Sequence, residues 1–482
     1  MFLHADGQTW TAAEVGERVD CAAAAFAAAG IGQGDRVGLL LENGVDFVSS
    51  FFGIARLGAV AVTVNTALRG ETLEYILSHA EVRLVVAEPA LVADVGAMAT
   101  PGIVWTPGDV DSGPHEGIPP HRLRLPGDVA AIVYTSGTTG RPKGVMLTDH
   151  GYWRAASWFV ESLRLTRDDV LSTCLPLFHV NAQHLSLCGS LAAGAELALE
   201  RKFSASRFWE TIAASRATSF NLIGAMLGIL HLQPVSAAER EHRARIACVA
   251  PVPASIHREC EERFGVTLVD GYGLTETTPG IAYNLDGRPG SFGQQAPYVE
   301  LAVVDEQGTP LAAQVPGEIV VRPLEPAVLM AGYYRDPDAT AAAFRNGWFH
   351  SGDRGYADED GYLYFVDRLK DAIRRRGEMI SPGEIERVAV QHAGVSEAVA
   401  LGVPSDLPGG EDEIALVVTA TNGTRLDLTD LVSFCRSRLP RFMVPRYYEV
   451  VDDFPRTETQ RIQKGELRRR GVAGSLDVGS RG

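Results

Sequence analysis

The apolar residues of this chain change period again and again, and that alternation limits the folds open to it. Residues 12–29 carry an amphipathic helical pattern, 36–41 a strand, 45–57 a helix, 60–65 a strand, 72–79 a helix and 82–87 an apolar strand. Strands separated by helices pair in parallel, because a parallel connection must cross back over the sheet. A second run of the same kind places helices at 152–163, 183–192, 205–215 and 255–264, with strands at 170–174, 195–199, 219–223, 245–249 and 267–270. Between 299 and about 322 the strands shorten and turn at Gln307-Gly308 and Pro316-Gly317, which predicts a small antiparallel or barrel-like sheet. From Asp371 onward, helices at 383–391 and 428–438 and strands at 398–403, 413–420 and 447–450 form a small α+β unit. Residues 107–127 read as a loop.

With 482 residues the chain has room for about three compact units. It holds 44 Lys and Arg against 60 Asp and Glu, a net charge of −16. Such an acidic chain is unsuited to general nucleic-acid binding, so any anion it holds must sit in a local basic pocket. No apolar run reaches the ~18 residues of a membrane span, and MFLHADGQTW lacks a secretory layout, so the expectation is a cytoplasmic protein with no membrane partner. Cys21, Cys174, Cys188, Cys248, Cys260 and Cys435 show no metal-binding spacing and read as reduced core thiols.

Residues 134–144 read YTSGTTGRPKG, between an apolar strand pattern at 129–134 and its resumption at Val145 and Leu147. Glycines let backbone approach an oxyanion, hydroxyls and N–H groups donate to phosphate oxygens, and Lys143 adds charge. A nucleotide polyphosphate suits this stretch. Gly137 and Gly140 stand too close together for the common P-loop, and no Lys-Ser or Lys-Thr pair follows. A Gly/Ser/Thr run alone fits a surface turn equally well, but eleven ordered positions favour the phosphate reading.

YTSGTTGRPKG resembles the phosphate signature of the adenylate-forming enzymes, the superfamily of acyl-CoA synthetases, nonribosomal peptide adenylation domains and beetle luciferases. The resemblance implies that Thr135, Ser136, Gly137, Thr138, Thr139, Gly140 and Lys143 hold the β- and γ-phosphates of ATP. DGYGLTETT, residues 270–278, alone would be an ordinary Gly-rich turn. Matched to the family's YGxTE motif, with Asp270 and Gly271 leading into it, it implies adenine contact for Tyr272, α-phosphate contact for Thr275 and Mg²⁺ for Glu276. Asp353 and Arg368 look like the ribose-binding pair, although a surface salt bridge is the simpler reading of the two residues alone. Lys370 falls at the family's interdomain hinge. The implied fold is α/β: a large AMP-binding N-terminal domain, residues 1–369, of two parallel α/β subdomains plus a small β-barrel-like subdomain, then a small mobile C-terminal α+β domain, residues 370–482.

RRRGEMISPGEIE, residues 374–386, resembles the loop that lines the pantetheine channel after domain rotation, which implies channel roles for Arg376, Gly377 and Glu378. In LPLFHVNAQH, residues 175–184, His179 and His184 are not spaced as i,i+4 metal ligands, and a lone His is usually a packed residue. By resemblance His179 gates the carboxylate pocket. His184, Asn221, Gly224, Met226, Val249, Ala250, Thr277 and Gly280 complete the expected lining.

Two positions depart from the family pattern. In PRTETQRIQKGELR, residues 455–468, Arg461 stands where a catalytic lysine usually stands, and Lys464 occupies a separate basic position. Arginine keeps the charge on a wider fork, so either residue is a candidate for stabilising the adenylating step. In CVAPVPAS, residues 248–255, Cys248 and Val249 add bulk where relatives often carry glycines, which favours a short or flat acid. The expected activity is ATP-dependent carboxylate–CoA ligation with Mg²⁺, through an acyl-adenylate, on a small or aromatic acid. Transfer to a carrier-protein thiol, activation of an unusual oxyanion for a specialised biosynthetic step, and a nucleotide-binding pseudoenzyme are the alternatives. Kinase-like phosphoryl transfer is the least supported.

Overall fold

The computed structural model describes residues 2–98, 100, 102–113, 120, 122–135, 141–368, 373–405, 411–421, 426–455 and 462–479. Two seven-stranded sheets realise the two alternating runs. In the first, the strands run in the order Gly332–Tyr333, Lys143–Thr148, Val129–Thr135, Val60–Thr63, Arg36–Leu40, Leu84–Ala87 and Ile103–Trp105. The last five are parallel, while Lys143–Thr148 and Gly332–Tyr333 add an antiparallel edge. In the second sheet the order is Thr267–Val269, Ile246–Ala250, Ser219–Ile223, Val170–Thr173, Glu196–Leu199, Leu3–Ala5 and Gln8–Trp10. All but the last pair are parallel.

The third sheet is antiparallel and eight-stranded, running from Gly271–Leu274 and Thr278–Tyr283 through Trp348–Ala357 to Val299–Val304. It is the expected antiparallel sheet, larger than the 299–322 pattern suggested. One core cluster reaches all three sheets, from Phe26 and Phe47 to Tyr272, Phe292 and Phe349. Burying such side chains contributes about 1.5–3 kcal/mol each, which ties the sheets into one body. The C-terminal part has its own core, with Ile373, Ile385, Leu416, Leu431 and Tyr448 at its centre. Its sheet holds Val395–Pro404, Asp412–Ala420, Tyr447–Val451 and Leu476–Asp477, and a hairpin of Ile373–Arg375 with Glu378–Ile380 projects from it.

Local chemistry explains where the expectations fail. The loop expected at 107–127 begins with a one-turn helix, Pro107–Asp111, whose Thr106 and Asp109 form a reciprocal capping box. Strand Ile103–Trp105 precedes it and Leu3–Ala5 opens the chain. Each is three residues long; Ile103–Trp105 pairs with Leu84–Ala87, and Leu3–Ala5 with the distant Glu196–Leu199 as well as its neighbour Gln8–Trp10, so much of the cause is non-local. The single helix expected at 183–192 is instead a π-helical segment, Ala182–Cys188, followed by an α-helix, Gly189–Ala193. No helix among the described residues is long and apolar enough to cross a membrane.

Candidate active site

The strands on either side of the phosphate segment pair antiparallel: Thr135 on strand Val129–Thr135 registers with Lys143 on strand Lys143–Thr148. Ser136, Gly137, Thr138, Thr139 and Gly140 lie outside the described residues. The Lys143 ammonium sits 5.0 Å above the Tyr333 ring, and the Tyr333 hydroxyl donates to Glu276 Oε1 at 3.0 Å. The lysine and carboxylate expected to serve the phosphates and the cation therefore share one tyrosine. Burial first, then Glu276, holds the Tyr333 phenol far above its ordinary acidity range, so it stays a donor. A carboxylate oriented by a hydroxyl and placed near a lysine fits a hard divalent cation with phosphate ligands.

Tyr272 is 8% exposed, stacks on Phe292 with ring centroids 4.5 Å apart, and donates its hydroxyl to Asp353 Oδ2 at 2.9 Å. The expected adenine and ribose residues are thus one hydrogen-bonded unit. Asp353 is also the register partner of Arg368 on the neighbouring strand. Asp270 accepts from the backbone N–H groups of Val252 and Gly271, both at 2.8 Å, and burial pushes its carboxyl up to about 8. It pins the 250–252 loop. Thr275 and Glu276 sit in the turn between strands Gly271–Leu274 and Thr278–Tyr283, and the Thr277 hydroxyl accepts from Leu274 N–H at 2.9 Å.

The projecting hairpin of the C-terminal unit closes on this site. Glu378 Oε1 lies 2.9 Å from His179 Nε2 and accepts from Asn65 Nδ2 at 3.0 Å, while an Arg374 guanidinium N–H donates to the Ala250 carbonyl at 3.1 Å. Burial works to discharge His179, yet the Glu378 charge and hydrogen bond outweigh it and hold the imidazole above its ordinary value. Arg376 and Gly377 form the hairpin turn at φ +54° and +81°. A cleft of about 580 Å³ runs under the hairpin, lined by Thr63, Tyr134, Thr135, His179, Glu378 and Glu384 among others. Glu384 is 5% exposed, and burial raises its carboxyl to about 7. Arg375, by contrast, is buried against Glu413 at 2.8 Å and serves the C-terminal core.

The expected acid-pocket residues separate. On strand Ser219–Ile223, Asn221 donates to Ser186 Oγ at 3.1 Å and Asn181 Oδ1 at 3.3 Å. Cys248 is its register partner across the sheet and shares its face. Val249 points to the opposite face from Cys248 and is buried in the cluster with Leu222 and Phe264. Met226 is partly buried between the two clusters, and Gly224 begins the helix after Ile223. A Cβ on Gly280 would stand 1.9 Å from the Tyr283 hydroxyl, so only glycine fits. His184 is a core residue: it is fully buried, stacks on Tyr152 at 3.9 Å, and burial lowers its ring to about 3.

Arg461 and Lys370 lie outside the described residues, and of Arg368 only the backbone is described. The Lys464 ammonium pairs with Glu386 Oε1 at 2.9 Å inside the C-terminal unit. Sequence reasoning missed Tyr333, Asn65, Asn181 and Phe292. Tyr333 has a visible signal, a Gly-Tyr before a capped helix, but nothing local says that it pairs with Lys143–Thr148.

The chain matches the AMP-binding enzyme family over residues 1–334, and the AMP-binding enzyme C-terminal domain family over residues 384–461. It belongs to the adenylate-forming AMP-binding enzymes. The probable CoA ligase CCL9 of Humulus lupulus is 34% identical over 479 residues, which cover 94% of this chain and 90% of the relative. Crotonobetaine/carnitine–CoA ligase of Salmonella paratyphi C is 31% identical over 497 residues, covering 95% and 92%. Among solved structures, a double mutant of o-succinylbenzoate CoA synthetase of Bacillus subtilis bound to its product analogue OSB-NCoA matches with TM-score 0.88 at 26% identity, covering 97% of this chain and 95% of that one. The same synthetase bound to the acyl-adenylate OSB-AMP matches with TM-score 0.71 at 25% identity, covering 97% and 95%. Amide bond synthetase McbA of Marinactinospora thermotolerans matches with TM-score 0.88 at 26% identity, covering 98% and 97%. This adenylate-forming enzyme is an AMP-forming acid–thiol ligase that uses ATP and coenzyme A.

Proposed function

We propose that this ligase activates a small or flat acid, such as an aromatic one, and passes it to coenzyme A. The observation that carries the size limit is the facing pair Asn221 and Cys248, which puts a bonded amide and a buried thiol side by side across the second sheet. A cysteine at 248, beside Asn221, occupies space that a glycine would leave open, which favours a short or flat acid over a long hydrocarbon chain. The relatives named above act on acids as different as carnitine and o-succinylbenzoate, so the acid follows from this chain's own lining.

In the first half-reaction a carboxylate oxygen attacks the α-phosphorus of ATP, the bond to the bridging oxygen breaks, and acyl-AMP and pyrophosphate form. Lys143 and Thr275 meet phosphate oxygens as their charge grows, and Tyr272 with Asp353 fixes the nucleoside. Glu276 would hold the Mg²⁺, which neutralises phosphate charge. Arg461 supplies the cation that lysine supplies in most relatives, and Lys464 serves the C-terminal unit. In the second half-reaction the coenzyme A thiol attacks the acyl carbon and AMP leaves. The C-terminal unit, residues 370–482, turns about Lys370 between the two steps, and Arg376, Gly377 and Glu378 border the thiol's path. The higher TM-score to the OSB-NCoA complex than to the OSB-AMP complex supports reading the present arrangement as the thioester-forming one.

The test is mass spectrometry of AMP and acyl products from pooled small aliphatic and aromatic acids with MgATP, with and without coenzyme A, for wild type and Arg461→Lys. AMP release with one dominant acyl-CoA is expected from wild type. Turnover by Arg461→Lys alone would favour the pseudoenzyme reading. The likeness to an amide bond synthetase favours one other acceptor, an amine, and AMP release without coenzyme A but with added amine would move the proposal there.

A further inference from the structure

Strand Gly332–Tyr333 is two residues long, yet it is held on every side. Tyr333 registers with Val145 on the strand that follows the phosphate segment, Ala331 N–H donates to the Met146 carbonyl at 2.9 Å, and Tyr334 N–H donates to the Gly144 carbonyl at 2.7 Å. One residue earlier, Met330 N–H donates to the Glu276 carbonyl at 2.9 Å. Tyr333 N–H itself donates to Thr340 Oγ1 at 2.9 Å. The segment therefore staples the first sheet, which carries Lys143, to the third, which leads into Glu276.

The side chain repeats the connection. Its hydroxyl donates to Glu276 Oε1 at 3.0 Å and its ring face lies 5.0 Å from Lys143 Nζ. A hydroxyl on one carboxylate oxygen fixes the torsion of the whole carboxylate, as partners behind metal ligands do. A lysine has a flexible four-carbon stem, and an aromatic face confines its ammonium. Lys143 and Glu276 are 133 positions apart in sequence, and one rigid ring touches both.

We propose that Tyr333 is a positioning residue for ATP activation: it orients the Glu276 carboxylate toward the divalent cation through its hydroxyl and holds the Lys143 ammonium at the phosphates through its ring. This rests on the ligase reading for the roles of Lys143 and Glu276. The two contacts are separable by substitution, because Tyr333→Phe deletes only the hydroxyl while Tyr333→Leu deletes both.

The experiment is calorimetric binding of a non-hydrolysable ATP analogue with and without Mg²⁺, together with each half-reaction measured apart. For Tyr333→Phe the tightening of analogue binding by Mg²⁺ falls roughly tenfold, metal-free binding is unchanged, and acid-dependent pyrophosphate exchange falls in parallel. Thioester formation from supplied acyl-adenylate stays at the wild-type rate. For Tyr333→Leu metal-free binding also weakens, by about two- to fivefold. A wild-type Mg²⁺ response in Tyr333→Phe overturns the proposal, and so does an equal loss in both half-reactions, which marks a merely structural role. If wild type binds the analogue but releases AMP with no acid, the ligase reading fails, while the calorimetry still decides the part played by Tyr333.

Discussion

His179 Nε2 and Glu378 Oε1, 199 residues apart in sequence, meet at 2.9 Å across the cleft and join the two units of the molecule. Glu378 holds the His179 pKa above its ordinary value, so the folded contact binds a proton more tightly than the separated imidazole does. The ion pair is therefore fully formed below the ordinary histidine range and is lost as pH rises through the raised value. The rate of thioester formation from supplied acyl-adenylate should fall over that interval. In Glu378→Gln the rate should be lower at acid pH by about tenfold and nearly flat with pH. Stopped-flow measurement at several pH values checks both, and a parallel pH profile in the variant would sink the idea.

Glu384 carries the same sign for a different reason, burial rather than a charged partner. Burial pushes its carboxyl up from an ordinary 4.5 to about 7 in the fold, so folding binds a proton between those values. Stability then falls as pH rises from about 4.5 to 7 and stays reduced above, by about 3 kcal/mol at most. Glu384→Gln should match wild type near pH 4.5 and exceed it in denaturant midpoint at pH 8. An equal midpoint at pH 8 would mean that the carboxylate finds compensation when charged.

How much of this was legible in the sequence depends on the range of the cause. The alternating sheets follow from local periodicity, and the phosphate and YGLTE stretches are readable because their chemistry is packed into consecutive residues. Strand alternation puts Val249 on the face opposite Cys248, but it fixes only which neighbours share a face and not which face meets the ligand. The packing of His184 was not legible because Tyr152, on which it stacks, comes from a helix distant in sequence. Strand Gly332–Tyr333 and the Asn65–Glu378 bond depend on partners far along the chain, and no local pattern encodes them.

The hydroxyl of Tyr272 offers a narrower test. It donates to the buried Asp353 carboxylate at 2.9 Å, and a buried hydrogen bond to a charged group contributes about 1.5–3 kcal/mol. Tyr272→Phe keeps the ring on Phe292 and removes the donor. KM for ATP should rise about ten- to a hundredfold with a smaller change in kcat, because the bond fixes the nucleoside rather than the reacting phosphorus. Steady-state kinetics with saturating acid and coenzyme A measures the split, and an unchanged KM would show that Asp353 is held without the tyrosine.

Gly377 separates the two half-reactions most sharply. It turns the hairpin at φ +81°, and a Cβ there would stand 2.7 Å from Ile223 Cδ1, on the strand that also carries Asn221. The left-handed backbone adds about 1 kcal/mol or more of strain for any L side chain, and the contact lies only where the hairpin docks on the large unit. Gly377→Ala should leave acid-dependent pyrophosphate exchange near wild type, because Lys143, Glu276, Tyr272 and Asp353 are untouched. Thioester formation should drop by about tenfold or more, since the docked arrangement becomes the strained one. Measuring both half-reactions on one preparation decides it: equal losses would mean that the hairpin serves adenylation as well, and no loss would mean that Ile223 simply turns aside.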